Sequence, residues 1–273
     1  MGDVVGAGLL AHVPTIMLPE HVRRELNGGE DFSLVPGLQQ LRKDVFETVD
    51  YDTVVVLDSH WATTVEFVVT AQDRRAGLFT SEELPRGMCR IPYDFPGDPE
   101  LAHAMAAAAD KHGTWITAID DPYLPIFYAT VDLWHYLGRG LPDKKWISVS
   151  VCQTGDTEDF LRAGRALGDA IAVTDRKVLL IASGALSHTF WPLRQIRDHE
   201  SADHLQVVAE SGLGLEPEEL RHRVEHARVI PGLEPLDALQ VGVARLRRED
   251  VRRVRALVLP DLAQRPEGVR HRS

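Results

Sequence analysis

The stretch from Thr53 to Trp61, TVVVLDSHW, constrains the fold of this chain more than any other. A run of apolar, mostly β-branched residues without alternating polar positions is typical of a parallel strand that helices cover on both faces. The run ends in a polar cluster that contains His60. Because sites in open α/β sheets form beyond the carboxyl ends of the strands, the stretch predicts a buried strand that leads into a site.

Two other stretches repeat this pattern. Residues 4–11 are small and apolar and run into AHVP, which contains His12. The mostly apolar residues 177–182 lead to SGALSH, which ends in His188. A single histidine after a strand is more often a turn residue than a ligand. Three such histidines at the carboxyl ends of strands of one sheet would converge on one crevice, so we predict a common cleft for His12, His60 and His188.

The remaining pattern alternates between helical and strand-like segments. Helices are predicted from Pro36 to Val49, from Pro99 to His112, from Thr130 to Leu137 and from Asp159 to Val173, and further strands at 65–70, 115–119 and 146–151. We therefore expect one α/β domain over residues 1–273, with a central, largely parallel or mixed sheet flanked by helices. Residues 71–97 hold many turn formers and are predicted to be a long surface excursion, either a lid or a contact in a homo-oligomer.

Composition excludes several classes of protein. The formal net charge of -11 argues against a nucleic-acid binder, because phosphate binding relies on a basic surface. Cys89 and Cys152 are the two cysteines and lack CxxC spacing, which argues against a disulfide framework or a structural zinc site and favours the reducing cytoplasm. The apolar run at residues 4–11 is too short to span a bilayer and has no basic flank, so no membrane role is expected.

The histidines indicate a metal site. Two histidines and one carboxylate on one face of a metal suit non-haem Fe(II), because open positions remain for dioxygen and an oxygen-bearing substrate. A third histidine outside the metal sphere could transfer protons. Spacing alone does not assign these roles, and zinc held by the same ligands would imply a hydrolase. No GxGxxG or P-loop pattern indicates a nucleotide cofactor.

Five motifs carry a resemblance to a known family. They are AHVP at 11–14, DSHW at 58–61, GLFTSEELP at 77–85, GDPEL at 97–101 and ASGALSH at 182–188. Their order and spacing resemble those of class III extradiol ring-cleavage dioxygenases over residues 5 to about 190. The resemblance implies that Fe(II) and O2 open the ring of a catechol with a short acidic side chain, such as homoprotocatechuate, to a muconic semialdehyde.

The resemblance also implies roles for individual residues. His12 and His60 match the histidines that bind Fe(II), and His188 matches the histidine that transfers protons beside the metal. The third ligand in the family is a glutamate in a short glycine-containing loop that opens a late helix. Residues 231–235, PGLEP, resemble that loop, so Glu234 is our candidate, with Glu267 in PEG as the reserve.

The chain also departs from the family pattern. Ile119 lies near a position where some relatives carry a pocket histidine, and the part from about residue 200 to 273 is divergent. These departures leave open a non-catalytic scaffold subunit, of the kind found as a degenerate copy in related hetero-oligomeric dioxygenases. The segment Asp120-Asp121-Pro122-Tyr123 could line a pocket, with Tyr123 as a candidate substrate-binding residue, or could form a capped turn.

Overall fold

A computed structural model of the protein describes residues 2–81 and 88–184. The predictions at His188, Glu234 and Glu267 therefore lie outside the described residues, as does the divergent part of the chain. The described strands are β1 Asp3–Leu10, β2 Thr53–Thr63, β3 Phe67–Thr70, β4 Arg74–Phe79, β5 Ile91–Pro96, β6 Ile116–Ile119, β7 Lys145–Cys152 and β8 Lys177–Ser183. The α-helices are α1 Glu20–Leu26, α2 Leu34–Leu41, α3 Pro99–Ala108, α4 Tyr128–Leu137 and α5 Thr157–Thr174.

Six of these strands form one central sheet in the order β1-β8-β2-β7-β3-β6. Strands β1, β8, β2 and β7 are parallel to one another. Strand β3 is antiparallel to β7, and β6 is parallel to β3. The predicted α/β class with a largely parallel sheet is confirmed. Because β8 lies between β1 and β2, the carboxyl ends of these three strands are adjacent at one edge of the sheet.

Strand β2 is buried on both faces, as its unbroken apolar run predicts. Val54 and Val56 pack into the core on the side of α2 and α4, together with Leu38 and Leu133. Val55 points to the other side and packs against residues of α3 and α5. All three valines are 0% exposed, so this strand has no solvent face on which polar residues would alternate.

The predicted surface excursion at residues 71–97 contains regular structure. Strands β4 and β5 form an antiparallel ribbon, and Phe79 and Phe95 on it are buried in the core. The ring of Phe95 lies 5.5 Å from that of Trp134 on α4, measured between ring centroids. The turn formers obscured the alternation that marks these strands, so the sequence indicated a loop where a ribbon covers α4.

Helix α3 begins where its capping signals predict. The side chain of Asp98 accepts a hydrogen bond from the Leu101 N–H, and Pro99 occupies the first turn. The α-helix ends earlier than predicted, at Ala108, and a short 3-10 turn, Asp110–His112, leads to Gly113 in the left-handed region. Asp98 also accepts bonds from Thr53 Oγ1 at 2.6 Å and Arg176 Nε at 2.8 Å, which fixes the amino end of β2.

Candidate active site

His12 and His60 lie side by side at the carboxyl edge of the sheet. His12 follows β1 by two residues and is 7% exposed, and His60 lies near the end of β2. Their ring centroids are 4.9 Å apart, with the planes perpendicular. The predicted convergence is thus observed for these two residues, although they come from strands that do not pair with each other.

A bulge in β2 sets the direction of His60. The register between β2 and β7 shifts between Asp58 and Ala62, so β2 has more residues than its partner along this stretch. Bulges of this kind bend a strand and redirect a side chain next to a site. The sequence predicted that the strand ends before His60, whereas the strand continues through the polar cluster to Thr63.

Asp58 holds this bulge together and also caps α4. Its Oδ1 accepts the backbone N–H groups of His60 at 3.0 Å and Trp61 at 3.2 Å. Its Oδ2 accepts hydrogen bonds from the N–H of Thr130 at 3.2 Å and from the Thr130 hydroxyl at 2.6 Å. Thr130 is in the first turn of α4, where N–H groups have no partner within the helix. One carboxylate therefore joins the His60 backbone to the start of α4.

Burial raises the pKa of Asp58, while the hydrogen bonds from Thr130 and from the His60 backbone lower it. Asp58 is 1% exposed. The polar contacts continue through Thr130 Oγ1 to Ser148 Oγ at 2.9 Å, and the Ser148 N–H donates to Thr70 Oγ1 at 2.9 Å. This buried network crosses β7 and β3 beneath the histidine pair, and satisfied networks of this kind fix one arrangement of the core.

Tyr128 is the residue that connects α4 to the histidines. It is the first residue of α4, it is 4% exposed, and its hydroxyl is hydrogen-bonded to His60 Nε2. Its ring centroid lies 3.9 Å from that of His60 and 5.6 Å from that of His12. This residue was not predicted from the sequence, because the predicted helix began at Thr130. The available signal was a tyrosine three residues after Pro125, at a helix start.

The backbone after His12 is also held by side chains. The carbonyl of Ile16 accepts bonds from the Tyr136 hydroxyl and from Arg23 Nη1, the latter at 3.2 Å. Arg23 Nη1 also donates to the Leu18 carbonyl at 2.6 Å, and its Nε and Nη2 bind the two carboxylate oxygens of Asp31 at 2.7 Å each. The guanidinium of Arg23, which is nearly buried, therefore anchors the loop that follows His12.

The end of β8 lies between the end of β1 and the polar cluster of β2. The Gly184 N–H donates to the Leu10 carbonyl at 2.9 Å, on the β1 side. On the β2 side, Ser183 Oγ donates to the Leu57 carbonyl at 2.9 Å and accepts from the Ser59 N–H at 3.1 Å. His188 follows four residues after Gly184, outside the described residues, so its place in the cleft stays a prediction.

The described ring contacts of His60 are with His12 and Tyr128, and Tyr123 is not among them. Tyr123 is 90% exposed, and its N–H donates to Asp121 Oδ1 at 2.7 Å, as in a capped turn. Its role in substrate binding stays a prediction. Ile119 ends β6, which runs opposite to β2 and β7, so it lies away from the carboxyl edge that carries His12 and His60.

A second buried carboxyl group lies one helical turn after Tyr128. Asp132 is 0% exposed, and neither of its oxygens has a hydrogen-bond partner among the described residues. Burial raises its pKa well above the ordinary value for aspartate, and the nearby charge of Asp58 raises it further. No local sequence pattern indicates that this helix buries an acid.

The histidine pair fits two ligand positions of a first-row metal ion. With metal–nitrogen distances near 2 Å, two imidazole ligands at right angles have ring centroids roughly 4.5 Å apart, close to the spacing of His12 and His60. The described residues contain no group of three histidine, cysteine or carboxylate side chains that could hold a metal ion. A third protein ligand would therefore come from outside residues 2–81 and 88–184.

The chain is similar to known proteins in three comparisons. A family model described as "Catalytic LigB subunit of aromatic ring-opening dioxygenase" matches residues 6–221. The chain is 31% identical over 193 residues to the 3,4-dihydroxyphenylacetate 2,3-dioxygenase of Escherichia coli, which covers 70% of this chain and 68% of that protein. Among solved structures, the uncharacterized protein JW3007 from Escherichia coli K12 aligns with a TM-score of 0.47 and 18% identity, over 81% of this chain and 78% of its own.

In the described part of the chain, no helix is both long enough and apolar enough to cross a membrane.

Proposed function

Because the chain belongs to the LigB family of aromatic ring-opening dioxygenases, we propose that it is an Fe(II)-dependent extradiol dioxygenase that cleaves a catechol with O2. The observation that carries this proposal is the His12–His60 pair, fixed at the carboxyl edge of the sheet with the Tyr128 hydroxyl on His60. The reaction adds both oxygen atoms of O2 to the ring and yields a muconic semialdehyde, so it needs no external reductant.

His12, His60 and Glu234 are the proposed ligands of the iron. When bound, Fe(II) supplies a template for the two catechol oxygens and a path for electrons to O2. Glu234 provides the negative charge of the ligand set, since two neutral imidazoles leave the double charge of the ion unbalanced. With a catecholate monoanion the charges cancel, which makes a buried site less costly.

The remaining residues orient groups and move protons. The Asp58 carboxylate fixes the backbone of His60, and the Tyr128 hydroxyl, which is hydrogen-bonded to His60 Nε2, is the proposed partner for a phenolic oxygen of the substrate once His60 binds the metal. His188 is the proposed acid and base that takes a catechol proton and returns it later in the reaction. The stacked rings of Trp61 and Phe127, 5.9 Å apart, help to keep water from this side of the site.

Homoprotocatechuate, 3,4-dihydroxyphenylacetate, is the proposed substrate. The support is the 31% identity to the Escherichia coli dioxygenase that is named for this compound. We further propose that residues 185–273 complete a single catalytic domain over residues 1–273, and that the chain forms a homo-oligomer in the cytoplasm.

Reconstitution with Fe(II) tests the proposal. The purified chain is loaded anaerobically, homoprotocatechuate is added in air, and the yellow ring-fission product and the O2 consumed are measured. We expect one O2 per catechol, and no product from the His12→Ala variant. Ester hydrolysis by the zinc-loaded chain without O2 would instead support a hydrolase. Iron far below one equivalent, with activity only after a partner chain is added, would support a scaffold subunit.

A further inference from the structure

The segment between β6 and α4 has no regular secondary structure and ends directly before Tyr128, whose hydroxyl contacts His60. It covers residues 120–127 and includes Pro122 and Pro125, which have no backbone N–H. Within it, the Leu124 N–H donates to the Asp121 carbonyl at 3.1 Å. A segment without regular secondary structure has few internal backbone hydrogen bonds, so its carbonyls are open to donors from elsewhere in the chain.

Two side chains from the stretch after β3 supply these donors. Gln72 Nε2 donates to the Asp121 carbonyl at 2.8 Å. Arg75 Nη2 donates to the carbonyls of both Leu124 and Pro125, at 2.9 Å each. One terminal nitrogen of a planar guanidinium has two hydrogens and can serve two successive carbonyls at once.

Arg75 is an unusual residue at a buried position. It is 6% exposed, and among the described residues it forms no ion pair with a carboxylate. Burial lowers its pKa, whereas Tyr93 and Asp58 raise it. Burying a charged group is costly unless hydrogen bonds or an opposite charge replace its contacts with water. The two carbonyl bonds are thus the contacts that account for a guanidinium at this position.

We propose that Arg75 is a positioning residue that holds the Tyr128 hydroxyl against His60 by fixing the carbonyls of Leu124 and Pro125. The proposal rests on the proposed dioxygenase function. Pro125 precedes Tyr128 by three residues, a span of at most about 11 Å. Between them, Ile126 is buried and Phe127 stacks on Trp61, so a short, packed link joins the carbonyls that Arg75 binds to Tyr128.

A double-mutant cycle shows whether Arg75 acts through Tyr128. We expect Arg75→Gln to lower kcat/KM for the catechol roughly tenfold or more, the scale of a misplaced catalytic group. Combined with Tyr128→Phe, it should lower kcat/KM no further than Tyr128→Phe alone, because the hydroxyl is already absent. Losses that multiply would overturn the proposal. Arg75→Lys should recover part of the loss, since its ammonium can still reach one carbonyl.

The adjacent Arg74 provides a matched control. Its side chain is 64% exposed and binds Asp94 on the neighbouring strand through two bonds of 2.7 Å. Arg74→Gln removes the same charge from the same strand without touching the segment before α4. We expect kcat/KM to stay at the wild-type value in this variant, and a loss equal to that of Arg75→Gln would contradict a role specific to Arg75.

A measurement on the metal-free chain separates this proposal from the dioxygenase function. With isotope-labelled histidine, the Nε2 resonance of His60 should shift when the Tyr128 hydroxyl is removed, and Arg75→Gln should produce the same shift. If it does while the chain shows no ring cleavage, the role of Arg75 stands and the proposed function fails. An unchanged His60 resonance in folded Arg75→Gln would overturn the role of Arg75 whatever the activity. If Arg75→Gln does not fold, Arg75→Lys is held to the same criteria.

Discussion

Replacing Asp132 with asparagine should change how the stability of the protein depends on pH. The carboxyl group is fully buried and has no hydrogen-bond partner among the described residues, and burial together with Asp58 raises its pKa well above that in the unfolded chain. A raised pKa means that the folded state binds the proton more tightly. The stability that this proton contributes is complete below the unfolded pKa and is lost as the pH rises towards the folded pKa.

The size of the effect follows from the proton balance. In each pH unit where Asp132 is protonated in the folded state but ionised in the unfolded state, the free energy of unfolding falls by about 1.4 kcal/mol. Asparagine has a similar shape and does not titrate. Between pH 5 and pH 7, the stability of Asp132→Asn relative to the wild type should therefore increase, by at most about 2.7 kcal/mol for one proton over two pH units.

Urea unfolding followed by tryptophan fluorescence measures this difference. Trp134 and Trp146 are buried and report on the core, and a chelator keeps both proteins metal-free. The control is Asp143→Asn, which makes the same substitution at an exposed position. A difference between Asp132→Asn and wild type that is constant from pH 5 to pH 7, with equal m-values, would refute the argument from a buried neutral acid.

Three further outcomes are expected. Asp58→Asn should lower the free energy of unfolding by roughly 2–4 kcal/mol in urea titrations at pH 7, because the amide cannot accept all four hydrogen bonds of the carboxylate. Glu234→Gln should weaken iron binding by roughly tenfold or more in metal titrations, while Glu267→Gln should change it little, and the reverse result would make Glu267 the ligand. His188→Asn should lower kcat by roughly a hundredfold or more with iron content unchanged, and an unchanged kcat would exclude His188 as the proton carrier.

The parts of the fold that depend on a local pattern of residues could be predicted from the sequence. Val54, Val55 and Val56 are apolar because the strand is covered on both faces, and that pattern can be recognised without knowing the residues it contacts. The pairing of His12 with His60 followed from a rule about where strands end in α/β sheets.

Residues whose role depends on distant neighbours could not be predicted. Arg75 binds carbonyls 49 and 50 residues further along the chain, and Tyr128 meets a histidine 68 residues before it. The bulge at His60 arises from a register shift against β7, and no local pattern marks it. The burial of Asp132 likewise depends on the packing of α4, because an isolated aspartate on a helix usually faces solvent.

The place of β8 in the sheet has a consequence for biosynthesis. In the described sheet β1 pairs with β8 alone, and its Asp3 lies opposite Lys177, so the first described strand can pair only after the last described strand has been synthesised. At about 5–20 residues per second, this delay is on the order of 10–30 s. His12 cannot be brought beside His60 during that interval, because β8 is the strand that joins β1 to β2. A ligand that needs both histidines can therefore bind only once β8 has been synthesised and has paired with β1 and β2.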